Sequence, residues 1–346
     1  MIFSKVKMAD SVKPPRTTYS APLPRERGMA RWLLLLVVLL IVALAVVFSS
    51  YTRDIRAARE RVASGSALVD TPCGVVEYGR VGEGPPVLAV HGAGGGFDQG
   101  LALGEDLARM GFQVISVSRF GYLRTPLPAG ASAEAQADAH ACVLDALGIE
   151  RAFVIGASAG APSSLQLALR HPDRVAALVL LVPAIYVPRP DDAEAVLVPA
   201  GLEWIFDTAL RSDFLLWAAI RLLRPTLIRT MLATPPELVE AAEPEEQARI
   251  RRMLDHILPV SARRAGLLND SAVIGTLPRY PLESITAPTL AISFEDDLFG
   301  THDAARYTTK HIPDAQFVDY PSGGHVWVGH HRQVLEDIAR FFRDVP

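Results

Sequence analysis

Cysteine is scarce in this chain: Cys73 and Cys142 are the only two in 346 residues. That excludes a zinc ribbon or a cysteine-rich disulfide scaffold. The two lie far apart in sequence and read as separate, buried small thiols rather than a bridge. An excess of charge is missing as well, since 34 Lys and Arg face 38 Asp and Glu for a formal net charge of −4. Nothing in that balance points to nucleic acid or another polyanion. Neither G-x-G-x-x-G nor G-K-[ST] occurs, so no phosphate-binding glycine loop is marked. There is no internal repeat. What remains is a half-hydrophobic chain long enough for one large domain or two smaller ones.

Charge is wholly absent from Trp32 to Tyr51. Those residues as a helix, at ~1.5 Å each, reach across about 30 Å of hydrocarbon, and aromatics bracket the run as they do at membrane interfaces. A core helix would show a polar face, and this run shows none. A cleaved signal peptide is the rival, because Ala43-Leu44-Ala45 has the small-x-small form of a cleavage site. That tripeptide lies inside the apolar run, and the basic region before it is long, so an uncleaved anchor is favoured. Seven basic residues precede the run (Lys5, Lys7, Lys13, Arg16, Arg25, Arg27, Arg31) and four follow it closely (Arg53, Arg56, Arg59, Arg61). The excess places the N-terminus in the cytoplasm and the bulk of the chain on the outer side. The expected organisation is a disordered tail over 1–28, an anchor over 29–51 and a basic tether over 52–70.

From residue 71 short apolar runs alternate with helical patterns. The runs at 85–92, 111–118, 151–158, 175–184, 287–295 and 315–322 suit strands buried on both faces of a parallel sheet. Residues 74–82 read as an antiparallel edge strand. Helical patterns cover 100–110, 131–148, 162–172 and 331–344. This alternation predicts an α/β fold with a doubly wound, mostly parallel sheet. Its core takes in 71–184 and 287–346, and 185–286 form an inserted helical lid. The apolar segment 214–232 within the lid is not a second span, because Arg221, Arg224 and Arg229 would each cost at least ~2.5 kcal/mol in hydrocarbon.

In such sheets ligands bind at the carboxyl ends of the strands, and three strand ends carry chemistry. Gly156-Ala157-Ser158-Ala159-Gly160 closes a predicted strand and opens a predicted helix. A sharp turn there needs small neighbours, lifts the Ser158 hydroxyl above the sheet and aims a helix N-terminus at whatever it attacks. A serine hydroxyl needs a base, and the base needs an orienting acid. For this turn the order is serine, acid, histidine. Glu295-Asp296-Asp297 follows the next-to-last strand, and His325 follows the last.

On those residues the chain resembles the α/β-hydrolase superfamily from about residue 71 to 346: HGAGGG after a strand, GASAG at the turn, EDD before a helix and GGH near the end. The resemblance implies a Ser158–His325–Asp297 triad. Aligned on the family's G-x-x-D pattern, Asp297 takes the acid position, with Asp296 and Glu295 as rivals, and Phe294 stands where the family has glycine. Ala93 in the glycine loop and Ala159 after the nucleophile would present the oxyanion-hole amides. The loop at 118–128 departs from the family's Asp-x-x-Gly-x-Gly-x-Ser. Arg119 occupies the region of that aspartate, and with Arg124 could hold a substrate carboxylate or tie loops beneath the site. His330 and His331 beside His325 allow a metal reading, but no accompanying ligand pattern supports one.

These residues imply acyl transfer to water at a small or medium hydrophobic ester or related carbonyl compound, with neither metal nor organic cofactor. Haloalkane dehalogenases and epoxide hydrolases of this fold use an aspartate nucleophile, and position 158 is serine. Carbon–carbon bond hydrolysis and cofactor-free perhydrolase or haloperoxidase activity use the same triad. A ligand-binding module with incidental turnover is the alternative of another class.

Overall fold

A computed structural model describes residues 24–188 and 210–345, with side chains from residue 29 onward. The chain divides into two compact units, 1–52 and 53–346. Helix α1, Pro24–Ala63, crosses from one into the other. In the first unit, residues 29–49 are exposed throughout, and the apolar stretch has a mean hydropathy of 3.2. The tail expected over 1–28 lies outside the described residues as far as residue 23, and the backbone is already helical from Pro24.

In the second unit the expected tether is a docked element. Residues 53–63 continue α1 and bury Ile55 and Ala58 on one face. The Asp54 carboxylate accepts the Trp217 indole N–H at 2.9 Å, and Arg61 donates to Leu258 O at 2.5 Å.

The eight-stranded sheet has the order β1-β2-β4-β3-β5-β6-β7-β8. Its strands are β1 Ala67–Thr71, β2 Gly74–Val81, β3 Pro86–Val90, β4 Gln113–Val117, β5 Ala152–Ala157, β6 Val175–Leu181, β7 Thr289–Phe294 and β8 Gln316–Tyr320. Strands β3 to β8 are parallel and β2 is antiparallel, as the apolar runs predict. The edge is a correction. β1 pairs antiparallel outside β2, so β2 is internal and the sheet begins at residue 67. The β1 sequence ALVDT is mostly exposed and lacks an alternating apolar pattern, which left no periodicity to read.

Alternate residues of each central strand fill two cores. Leu88, Ile115, Val154 and Leu178 pack with α3 (Ala133–Ala146) and α4 (Ala161–Arg170). Val87, Val114, Ile155 and Val179 pack with α2 (Phe97–Arg109) and α11 (His331–Asp344). The period-two switch of face explains why these strands are apolar at nearly every position.

Among the described residues the lid contributes α5 (Asp213–Leu222), α6 (Arg224–Met231), α7 (Pro236–Ala241), α8 (Pro244–Asp255) and α9 (Arg264–Gly275). Residues 189–209 of the expected lid lie outside the described residues. The apolar segment 214–232 breaks at Leu223, where Pro225 opens α6. Between β7 and β8 runs α10, Thr301–His311.

The cysteines correct the reading as free thiols: Cys73 and Cys142 form a disulfide, with Cα atoms 6.1 Å apart. It ties the β1–β2 turn to α3 across 69 residues of sequence. On the chain-entropy account, closing a loop of that length stabilises by about 4 kcal/mol. The Cys73→Ser/Cys142→Ser double variant should therefore melt well below the wild type in calorimetry.

His140 on α3 is buried, with Nε2 3.2 Å from Ser163 Oγ on α4. Burial, helped by the charge of Arg119, pushes its pKa down to about 3. The unfolded chain takes up this proton near pH 6.5, whereas the folded chain does so only near 3. The unfolded state then binds more protons between those values, so this residue's contribution to stability is lost as pH falls through that window. Melting temperature against pH should accordingly fall less steeply in His140→Gln than in the wild type between pH 6.5 and 4.

Candidate active site

Strand β5 ends at Ala157, and Ser158 turns the chain into a 3-10 turn (Ser158–Gly160) that leads into α4. Ser158 has φ +47°, a left-handed conformation that costs a non-glycine residue about 1–3 kcal/mol. Its neighbours are small because there is no room. A Cβ on Gly160 would stand 2.5 Å from Val90 O, and one on Gly156 would stand 2.6 Å from Ser164 Oγ. The turn therefore brings the nucleophile candidate against the end of β3, where the glycine loop begins.

Two loops from the other strand ends meet the serine. The Ser158 hydroxyl lies 2.9 Å from His325 Nε2, and His325 Nδ1 lies 2.7 Å from Asp297 Oδ2. An Nδ1–H donating to the carboxylate leaves Nε2 free to accept the serine proton. The Asp297 side chain is fully buried. Its Oδ1 accepts the Phe299 N–H at 2.8 Å, and Oδ2 also accepts the Thr301 hydroxyl. Asp296 faces the other way and accepts the Gly323 and Gly324 amides at 3.2 and 2.7 Å. One carboxylate thus touches the imidazole, and its neighbour holds the loop that carries the imidazole. Glu295 is exposed.

The departure at Phe294 has a counterpart. Its ring is buried and stacked on Tyr320 with centroids 4.9 Å apart. A Cβ at position 323 would lie 2.5 Å from that ring. Gly323 supplies the space that the large residue takes.

The loop after β3 is fixed by a neutral histidine. His91 Nδ1–H donates to Gly92 O at 2.6 Å, and Nε2 accepts the Arg119 N–H at 3.0 Å. Burial first, then the charge of Arg119, holds the His91 pKa well below its usual value, which matches a ring that must both donate and accept. Ala93 is exposed and lines a cavity with Ser158 and His325. Ala159 follows the nucleophile candidate at the head of α4 and is buried.

A family model for the alpha/beta hydrolase fold matches residues 85–328. The chain belongs to the α/β-hydrolase family. An α/β hydrolase fold protein from Nakamurella multipartita is 32% identical, with a TM-score of 0.61 over 80% of this chain and 99% of its own. The 2-hydroxy-6-oxononadienedioate/2-hydroxy-6-oxononatrienedioate hydrolase of Paraburkholderia phymatum is 28% identical over 72% of this chain and 84% of its own length. A membrane phospholipase A shares the fold at 21% identity and a TM-score of 0.61 over 91% of this chain and 99% of its own. That coverage is more than the residues after α1 can supply, so it takes in part of the N-terminal helix.

In this hydrolase Arg119 is not available to a substrate, which corrects its reading as a carboxylate-binding residue. It is buried and absent from the cavity wall. Its two terminal nitrogens donate to the Asp270 carboxylate at 2.6 and 2.7 Å, and Nε donates to His91 O at 2.9 Å. Arg124 likewise donates to the buried Glu77 carboxylate at 2.7 Å. The three neighbouring histidines do not converge either. His325 faces Ser158, His331 faces Asp106 at 3.0 Å, and His330 packs 4.8 Å from the Tyr320 ring. Among the described residues one group could ligate a metal, Glu295, His302 and Asp319. His302 and Asp319 are already paired at 2.8 Å, and none of the three lines the cavity.

Residues that the sequence did not single out complete the surroundings. Asp270 on α9 also accepts the Tyr122 hydroxyl at 2.5 Å, and Tyr122 Oη accepts the Gly94 N–H at 3.2 Å. Arg263, fully buried, donates to Asp98 at 2.7 Å and to Gly95 O. Both links run from the lid to the loop carrying Ala93.

The cavity measures about 1220 Å³. Its wall includes Ile155, Val182, Met231, Leu232 and Phe299, with Glu105, Arg249 and Arg252 also present. The two adjacent carboxylates separate experimentally. Asp297→Asn should lower kcat by about 10⁴, the scale for an acid that sets the histidine tautomer. Asp296→Asn, which loosens a loop and leaves the imidazole its partner, should cost at least tenfold less by the same steady-state measurement.

Proposed function

We propose that this chain is a membrane-anchored serine hydrolase that cleaves a medium-sized hydrophobic ester through an acyl-enzyme. The observation that carries this reading is the unbroken hydrogen-bonded path from Ser158 through His325 to Asp297 at the wall of a large cavity. Ser158 Oγ attacks the carbonyl carbon as its proton passes to His325 Nε2. Asp297 stabilises the imidazolium. The Ala93 and Ala159 amides receive the oxyanion, each worth about 2.7–4 kcal/mol in the transition state. Collapse expels the alcohol, which takes the proton from His325. Water then gives its proton to His325, attacks the acyl carbon and restores the serine.

The cavity favours a substrate of some length, because typical small-molecule pockets occupy about 300–1,000 Å³ and this one exceeds them. Lipid esters therefore belong in the substrate panel, and the fold shared with a membrane phospholipase A points the same way. Carbon–carbon bond hydrolysis is the second reading, favoured by the 28% identity to a dienedioate hydrolase. There the leaving group is a stabilised carbanion, protonated in place of the alcohol.

The anchored reading places the catalytic body on the outer side of the membrane. The basic excess before the apolar run supports that orientation, and so does a disulfide, which persists in oxidising compartments. Cleavage after Ala45 would leave Val46 and Phe48, 60 and 67% exposed, at the head of the docked helix.

A fluorophosphonate probe should label the wild type and fail to label Ser158→Ala. Equal labelling of both, or of neither, would sink the nucleophile assignment. Across a series of p-nitrophenyl esters, kcat/KM should rise about fourfold per methylene, the value of ~0.8 kcal/mol for each CH₂ buried, until the cavity is filled. Turnover of a dienedioate with no ester hydrolysed would select the second reading.

A further inference from the structure

Helix α5 is apolar on both of its faces. Leu216, Trp217 and Ile220 are buried against the body, as an amphipathic helix requires. Yet Leu215 in its first turn is 41% exposed, and Leu222 and Leu223, together at its C-terminal end, are 80 and 52% exposed. A lone exposed leucine needs no explanation, whereas a group gathered at one helix end marks a contact surface.

The polar contacts of α5 fix its direction. Arg59 reaches Asp213, at the start of α5, at 3.4 Å. Five residues earlier in α1, Asp54 accepts from Trp217 and Arg221, near the end of α5. The two helices are therefore antiparallel, and Leu222 and Leu223 lie abreast of the turn at 53–56. In the chain, the apolar run stops at Tyr51, two residues before Arg53. Around this corner Arg53 and Arg221 both pair with Asp54, Arg56 and Arg224 add two further positive charges, and Asp255, which interacts with Arg221 and Arg224, is the second carboxylate. Apolar side chains ringed by a net positive charge suit the headgroup boundary of an anionic membrane.

We propose that the α5–α6 corner, centred on Leu222 and Leu223, rests on the bilayer that holds residues 32–51. This inference depends on the anchored reading given above. The lid is then held twice on this side, by Asp54 of the anchor helix and by the bilayer surface itself.

The test uses the full chain in nanodiscs of phosphatidylethanolamine and phosphatidylglycerol, one copy per disc, after a carbonate-wash assay of native membranes. Leu222→Cys carries an environment-sensitive nitrobenzoxadiazole label, the native cysteines being occupied in their disulfide. The expected result is a blue-shifted label, quenched at least twofold by doxyl lipid and protected from aqueous iodide. In Leu222→Asp/Leu223→Cys, labelled at 223, the lipid quenching should fall, with the melting temperature unchanged because both positions are exposed. A retained chain whose label is quenched by iodide and not by doxyl lipid would overturn the surface alone. Protection that arises only in discs holding two copies would assign the patch to a second chain and overturn it too. Loss of the chain on carbonate washing would overturn the anchored reading, and the surface with it.

Discussion

The buried pair of Arg119 and Asp270 is the contact on which the arrangement of the site depends. It joins the loop after β4 to helix α9, across 151 residues of sequence, with both ends out of water. Two charges are costly to desolvate, and removing either partner alone typically costs about 3–5 kcal/mol because the other is left uncompensated. Here the geometry answers that cost. The bond is bidentate, the third guanidinium donor goes to His91 O, and the Tyr122 hydroxyl occupies the same carboxylate. Arg119 also presents its amide to the neutral His91 ring. The glycine loop is thus held from below by His91 and from the lid by Asp270 through Tyr122, with Ala93 between the two attachments.

A second set of buried charges extends this clamp to the N-terminal helix. Asp98 opens α2 directly after the glycine loop and binds Arg263. Arg61, from the last turn of α1, approaches the same carboxylate at 3.4 Å. Burial opposes the ionisation of Asp98, but the two guanidinium groups outweigh it and hold its pKa below the usual carboxylate value. Only two side chains separate the end of α1 from the Gly95 carbonyl. A segment that composition alone describes as a tether is thereby part of the scaffold around the proposed oxyanion hole.

What could be read from the sequence was local. The turn at Ser158 announces itself through its small flanking residues, because the steric demand falls on positions within the same seven residues. The order serine, acid, histidine follows from the strand order, and Phe294 in place of a glycine is answered only at Gly323, across two strand ends. The lid contacts were out of reach because an arginine and an aspartate 151 residues apart carry no mutual signal. The disulfide is illegible for a related reason, since two cysteines 69 apart look alike whether free or bonded until β1 and α3 are placed side by side. Helix α10 escaped because its buried residues include Ala304, Ala305 and Thr308, too small to give a hydrophobic period. Strand β1 escaped because an exposed edge needs none.

The strand-end loops and the lid carry different kinds of information. Ser158, His325 and the glycine loop sit at strand ends, and the proposed triad suits ester and carbon–carbon cleavage alike, so it bears on the proposed mechanism and leaves the substrate open. Discrimination falls to the rest of the cavity wall, much of which comes from α6, α8 and the segment between α7 and α8. Those helices could drift relative to the serine if the lid were attached by apolar contacts alone, which are non-directional. The buried pairs Arg119–Asp270 and Arg263–Asp98 are directional. They hold the lid in one register over the site, and they explain why charged residues unrelated to the chemistry occupy such costly positions beside it.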